Sequence, residues 1–306
     1  MKQRFTTKNF QAETLALIEQ ANEIIESYQA QGYRMTLRQL YYQFVSKNVL
    51  GNTERNYKRL GSILNDARYA GLVDWAAIED RNRTPHNSSE FGNLADLANA
   101  ALASYRLDRW AGQPKFVELW VEKAALAGVL QPLADEWHVT LMVNRGYSSA
   151  SAMYEAANRF KRRKQDGIVL YLGDHDPSGE DMVRDVQARF DLFGANVQVI
   201  KVALTMDQVN EYNPPPNPAK ATDSRFNAYQ AQHGDESWEV DALPPNVLGE
   251  LIRENIRRHV HPPTMRKVLA KEKKDKADFA EALDEATRGK SQVNKDYLTI
   301  EEPPFV

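Results

Sequence analysis

The stretch "YLGDHDPSGEDM", Tyr171 to Met182, closes an apolar run with two aspartates one residue apart, then Pro-Ser-Gly and two more acids. The run before it, "GIVLYL", is continuously apolar, as expected of a strand covered on both faces. The segment after it, "SGEDMVRDVQARFDLF", has helical periodicity. Carboxylates packed this closely repel one another unless positive charge stands between them. The reading therefore predicts a strand, a turn crowded with acids, and a helix, with a cation at the turn.

The same rhythm extends on both sides. "KFVELWVE" (115–122), "HVTLMVN" (138–144) and "NVQVIKVAL" (196–204) read as strands. "AALAGVLQPLADEW" (124–137) and "SSASAMYEAANRFKRRK" (148–164) read as helices. Strands alternating with helices predict an α/β fold with a parallel sheet. Sites in such sheets gather at the carboxyl ends of the strands. Glu122 closes the first strand, Asp174 closes the third, and Asp176 follows two residues later. Three carboxylates at one edge, with oxygen-only donors, suit Mg²⁺ or Mn²⁺. His175, between the aspartates, is expected to point away from them. A haloacid-dehalogenase-type phosphatase also carries Asp-x-Asp after a strand, but it expects Thr or Val where Ser178 stands, and it places the motif on the first strand of its domain.

The N-terminal part differs. "QAETLALIEQANEIIESYQA" (11–30) is an amphipathic helix. "TLRQLYYQFV" opens with Thr36-x-x-Gln39, a capping box. "NTERNYKRLGSILNDARYAGL" (52–72) gives a third helix, with Asn52 as its expected N-cap. "LVDWAAIEDRNR" follows as a short strand with a turn. Three helices and a small strand element outline a winged-helix-like domain over residues 1–92. Residues 93–115 read as a connector, and 116–306 as the α/β domain with a C-terminal helical extension. The charged run "KEKKDK" in that extension reads as a solvated helix face. On the second helix, Leu37, Leu40, Tyr41 and Phe44 form the apolar stripe. Tyr42 lies off it, with Arg38 one turn earlier on the same side. This spacing predicts an exposed tyrosine beside a guanidinium that favours its phenolate.

The 306 residues are 42% hydrophobic and 26% charged, with formal net charge −3, ordinary values for a globular protein. Cysteine is absent, which excludes disulfides, thiolate metal sites and a cysteine nucleophile. No apolar run approaches the ~20 residues of a membrane span, and the first residues lack the apolar core of a secretory leader. A cytoplasmic, nucleoid-associated location is the expectation.

"VEK" (121–123), "NRGYSS" (144–149) and "GDHDPSG" (173–179) together resemble the Toprim domain of topoisomerases, bacterial primases and some nucleases. That resemblance implies a Rossmann-like sheet in which Glu122, Asp174 and Asp176 bind Mg²⁺. A winged-helix-like domain carrying Arg-x-x-Tyr-Tyr ahead of it, over residues 11–260, resembles the topoisomerase VI A subunit and the meiotic double-strand-break transesterase. The resemblance implies cleavage of double-stranded DNA by Tyr42, assisted by Arg38, with attachment to the 5′ phosphate. It also implies a homodimer in which the tyrosine of one chain meets the metal of the other, and a separate ATP-binding subunit. "GKS" (289–291) is not a phosphate loop, since Asp284 stands at its first glycine position. Arg55, Lys58, Arg59 and Arg68 on the third helix are expected on DNA, extended by Arg81 and Arg83. "RFKRRK" (159–164) is a second basic cluster. The competing readings are a Toprim nuclease that uses water, with Tyr42 idle, and a catalytically silent DNA-binding protein.

Overall fold

The computed structural model describes residues 1–31, 35–78, 90–144 and 146–286. Its N-terminal part holds α1 (Ala12–Gln29), α2 (Leu37–Ser46) and α3 (Glu54–Tyr69). Thr36 and Gln39 form the expected capping box at α2. At α3 the cap is Thr53, not Asn52: the Thr53 hydroxyl accepts from the Asn56 N–H. The three helices share an apolar core that includes Ile18, Ile25, Leu40, Phe44, Leu60 and Leu64. Among the described residues after α3 the chain makes turns, an antiparallel bridge between Arg4 and Ala70, and a parallel bridge between Met35 and Ile78, in place of the short strand expected there.

Next comes α4 (Leu94–Ser104), then the alternating part: β1 (Lys115–Val121), a 3-10 turn (Ala124–Leu126), α5 (Ala127–Trp137), β2 (Thr140–Val143), α6 (Ala150–Arg163), β3 (Asp166–Leu172), α7 (Pro177–Leu192) and β4 (Val197–Ala203). The four strands form one parallel sheet in the order β2-β1-β3-β4. Every residue of β1 and β3 beyond the first is buried, as the continuous apolar runs predicted. The remainder comprises α8 (Met206–Tyr212), β5 (Asn217–Pro218), α9 (Phe226–His233), β6 (Glu236–Ser237), a 3-10 turn (Val240–Ala242), α10 (Pro245–Arg257) and α11 (Pro262–Ala286).

Two further findings depart from the sequence reading. Residues around 110 do not hang free between cores: Trp110 is fully buried in the second core, and its indole N–H donates to the Trp137 carbonyl at 3.1 Å. The charged run of α11 is not only a solvated face either. Glu272 and Lys276 are buried, and Glu272 pairs with the equally buried Arg109 at 3.0 Å.

The register sets up the site. Val121 stands opposite Leu172, so Glu122 and Gly173–Asp174 leave the sheet side by side. The turn then closes tightly onto α7. A Cβ on Gly179 would lie 2.3 Å from the Asp174 carbonyl oxygen, so only glycine lets the helix start this close to the strand end. Gly179→Ala should force the turn open and cost about 1–3 kcal/mol, measured by urea denaturation. A loss below about 0.5 kcal/mol would show that the turn yields freely.

Candidate active site

Glu122, Asp174 and Asp176 stand where strand ends were expected to bring them, but they do different local work. Asp176 caps α7: its Oδ1 accepts from the Gly179 N–H at 2.6 Å and the Ser178 hydroxyl at 3.0 Å. Glu122 Oε2 accepts from the Asp174 N–H at 3.3 Å. Asp174 Oδ1 accepts from the Val240 N–H at 2.8 Å and lies 3.0 Å from the Lys123 ammonium. The Asp174 carbonyl is held at 2.9 Å by Lys201 on β4, which also pairs with Glu180. His175 turns away, as expected: its ring is buried and its Nδ1 lies 2.8 Å from the Tyr229 hydroxyl. Burial, with Lys201 nearby, pulls its pKa down to about 4, so it is neutral at physiological pH.

The acids strain one another. Burial pushes the Asp174 carboxyl up to about 7; Lys123 opposes this, while Glu122 and Asp241 add to it. Glu122 is raised by burial and by Asp176. Lys123, 3.0 Å from Asp174, is by contrast held firmly charged. Its burial is outweighed by Asp241, Asp174 and Glu239. The two partners therefore differ: the lysine is the fixed charge of the pair, and the aspartate takes up a proton most easily.

Lys123 is the hub. Its Nζ lies 2.8 Å from Glu239, 2.9 Å from Asp241 and 3.0 Å from Asp174. Arg38 of α2 reaches the same carboxylates, Nη2 to Glu239 at 2.6 Å and Nε to Asp241 at 3.3 Å. The Tyr42 hydroxyl donates to Glu239 Oε2 at 2.5 Å, with Arg38 Nη2 3.5 Å from the same hydroxyl. Asp241 is buried. The N-terminal helices thus dock onto the strand-end turn through a charged cluster, beside a cavity of about 260 Å³ lined by Arg38, Tyr41, Tyr42, Thr53 and Asn217 among others.

Several expectations change. Tyr42 is buried, 4% exposed, not a surface tyrosine. The helix has a second packed side, and Tyr42 occupies it. Burial, together with Asp241 and Glu239, raises its pKa; the lowering influence of Arg38 is the smaller one. The phenol is therefore protonated at rest. Tyr42 meets the carboxylate of Glu239 within its own chain. Arg68 is committed to the fold: it donates to the carbonyls of Trp75 at 2.7 Å and Ile78 at 3.3 Å and stacks on Trp75. Lys58 pairs with Glu54 and Arg59 with Glu13, both on the exposed surface, and Arg55 is exposed. Arg81 and Arg83 lie outside the described residues. In the second basic cluster, Arg159 forks onto the buried Glu118 at 2.7 and 2.8 Å, and Arg163 pairs with Asp108.

Sequence reasoning missed Glu239, Asp241 and Lys201, and gave Lys123 no role. The only signal was the Glu-x-Asp in "WEVDAL", a spacing that repeats the Asp-x-Asp upstream. As donors, Glu122, Asp174 and Asp176 fit a hard divalent cation in type and in surplus charge, and Gly173 leaves room beside Glu122, where a Cβ would lie 3.1 Å from Oε2. Among the described residues no three His, Cys, Asp or Glu side chains are already placed together to hold a metal ion. In comparisons with known proteins, no protein family and no curated protein matches the chain.

Lys123→Met would leave Asp174, Glu239 and Asp241 facing one another without their shared cation. The expected cost is about 3–5 kcal/mol at pH 7.5 by urea denaturation. Lys271→Met, which breaks an exposed pair with Asp275, should leave the midpoint unchanged.

Proposed function

We propose that this protein is a metal-dependent, DNA-cleaving transesterase with Tyr42 as nucleophile. The observation that carries the reading is the convergence of Tyr42 and Arg38, from a helical unit, on Glu239, whose partner Lys123 also pairs with the strand-end acid Asp174 of a parallel α/β unit. These are the parts that phosphodiester cleavage by a tyrosine requires: a hydroxyl, cations for the phosphate, and acids for a divalent ion. The architecture of winged-helix-like and Toprim units read from the sequence belongs to this proposal, as does double-stranded DNA as substrate.

In the cleavage step the Tyr42 oxygen bonds to phosphorus and the bond to the 3′ oxygen breaks. The phenol loses its proton and the leaving 3′ oxygen gains one, so no net proton is consumed. The 5′ phosphate stays on the tyrosine. Arg38 and Lys123 hold the phosphate and offset the charge that grows on its oxygens. Glu122, Asp174 and Asp176 would hold Mg²⁺ or Mn²⁺, which supplies further positive charge to the phosphate. A two-fold dimer would present two such sites to opposite strands of a duplex, and a separate ATP-binding subunit would couple cleavage to strand passage.

One observation favours a second reading, a nuclease in which water attacks. Tyr42 is buried and its pKa is raised, which makes it a poor nucleophile until the site rearranges.

Denaturing electrophoresis of end-labelled duplex with protein and Mg²⁺ separates the two. The transesterase reading predicts label migrating with protein, and a fall of more than about 10³-fold in cleavage for Tyr42→Phe. Free DNA ends, made equally well by Tyr42→Phe, would establish the water reading.

A further inference from the structure

One oxygen atom collects an unusual set of donors. Glu239 Oε2 accepts from Arg38 Nη2 at 2.6 Å, Tyr42 Oη at 2.5 Å and Lys123 Nζ at 2.8 Å. Two of these donors carry full positive charge, and they come from opposite sides of the contact between the helical unit and the sheet unit. Two charged donors and a hydroxyl aimed at one point are what a phosphate oxygen needs. The point borders the cavity of about 260 Å³ lined by Arg38, Tyr42, Asn52, Thr53, Asn217 and Glu239.

The two carboxylates of "WEVDAL" divide the work. Asp241 is buried and holds Arg38 Nε at 3.3 Å and Lys123 Nζ at 2.9 Å. It fixes the donors whatever they hold. Val240 between them is pinned by Asp174 Oδ1. Glu239 is the more exposed of the two, its side chain 23% accessible against 0% for Asp241. It lines the cavity, so it can swing out while Asp241 stays.

We infer that Arg38, Lys123 and Tyr42 form the receptor for one non-bridging oxygen of a DNA backbone phosphate, and that Glu239 is a built-in occupant which the phosphate must displace. The inference rests on the transesterase reading for its ligand, but it concerns binding and not cleavage. At rest Glu239 blocks the place where the scissile group would sit and ties up the tyrosine hydroxyl. Displacement clears that place and passes the hydroxyl from Glu239 to the phosphate in one event.

The test is fluorescence anisotropy of a short fluorescein-labelled duplex with the full chain in EDTA, at one fixed salt concentration. Glu239→Gln should tighten binding by about tenfold, the scale of one charge-assisted contact. Glu239→Ala should move the same way, and melting curves identify which variants remain folded. Glu236→Gln, which removes one charge from an exposed neighbour, should change binding by less than about twofold. Adding Arg38→Ala to Glu239→Gln should abolish the gain. Equal effects of Glu239→Gln and Glu236→Gln would overturn the inference, as would a gain that survives Arg38→Ala. Inorganic phosphate as competitor should erase the gain; a gain for phosphate with none for the duplex overturns the assignment to DNA. Unchanged binding in a protein whose Tyr42 adduct forms normally would sink the inference alone. Tighter binding in a protein that never forms the adduct would sink the transesterase reading alone.

Discussion

A single half-buried ammonium, that of Lys123, stands among three carboxylates contributed by two different turns. Arg38 adds a second cation, so two positive charges face Asp174, Glu239 and Asp241. Glu122 and Asp176 lie just beyond and leave the cluster further in deficit. Desolvation of such groups costs several kcal/mol per ion, so a buried cluster of this kind contributes little net stability. Its consequence is positional. Lys123 directly follows Glu122 at the end of β1, so the group that ties the helical unit to the sheet is bonded to one of the acids. Moving either unit disturbs both.

This coupling gives the resting site an opposed character. Glu239, held well ionised at about 2 because Lys123, Tyr42 and Arg38 outweigh its burial, keeps the tyrosine proton in place. The surplus of negative charge nearby raises the phenol further. An arriving divalent ion or phosphate would change both conditions, the first by offsetting the acids and the second by competing for the cations. The protonation of the tyrosine is thus set by its burial and by the carboxylates of the charged cluster.

Much of the sheet was legible in the sequence because its signals are local. Apolar runs of strand length, separated by helical periodicity, name β1 to β4, and the parallel register then brings Glu122 and Asp174 together. Thr36 and Gln39 likewise announce the start of α2. The rest depends on contacts between distant segments. Tyr42 lies off the apolar stripe of α2, but α2 packs on two sides, and Gln39 and Gln43 are buried with it. Glu239 and Asp241 follow the Asp174 turn by more than sixty residues, in a segment with no regular period, and they are brought back by the Val240 N–H bond to Asp174 and by the backbone bridge between His175 and Trp238. Arg68 looks like any basic residue of an exposed helix, and its use as a clamp on the carbonyls of Trp75 and Ile78 is visible only once the following turn folds over it.

The central claim, that one chain docks its own tyrosine helix onto its own acids, can be measured without any assay of activity. Asn52 and Asn217 touch across the same contact, Nδ2 to Oδ1 at 2.5 Å, outside the charged cluster. The chain contains no cysteine, so Asn52→Cys combined with Asn217→Cys introduces the only two thiols. Treatment with a short thiol-to-thiol cross-linker, followed by denaturing electrophoresis and peptide mapping, should give a 52–217 link within species of monomer mass. A mixture of the two single variants should give none between chains. Cross-linked dimers from that mixture, with no link inside the double variant, would contradict the account and place the tyrosine against the partner chain's acids.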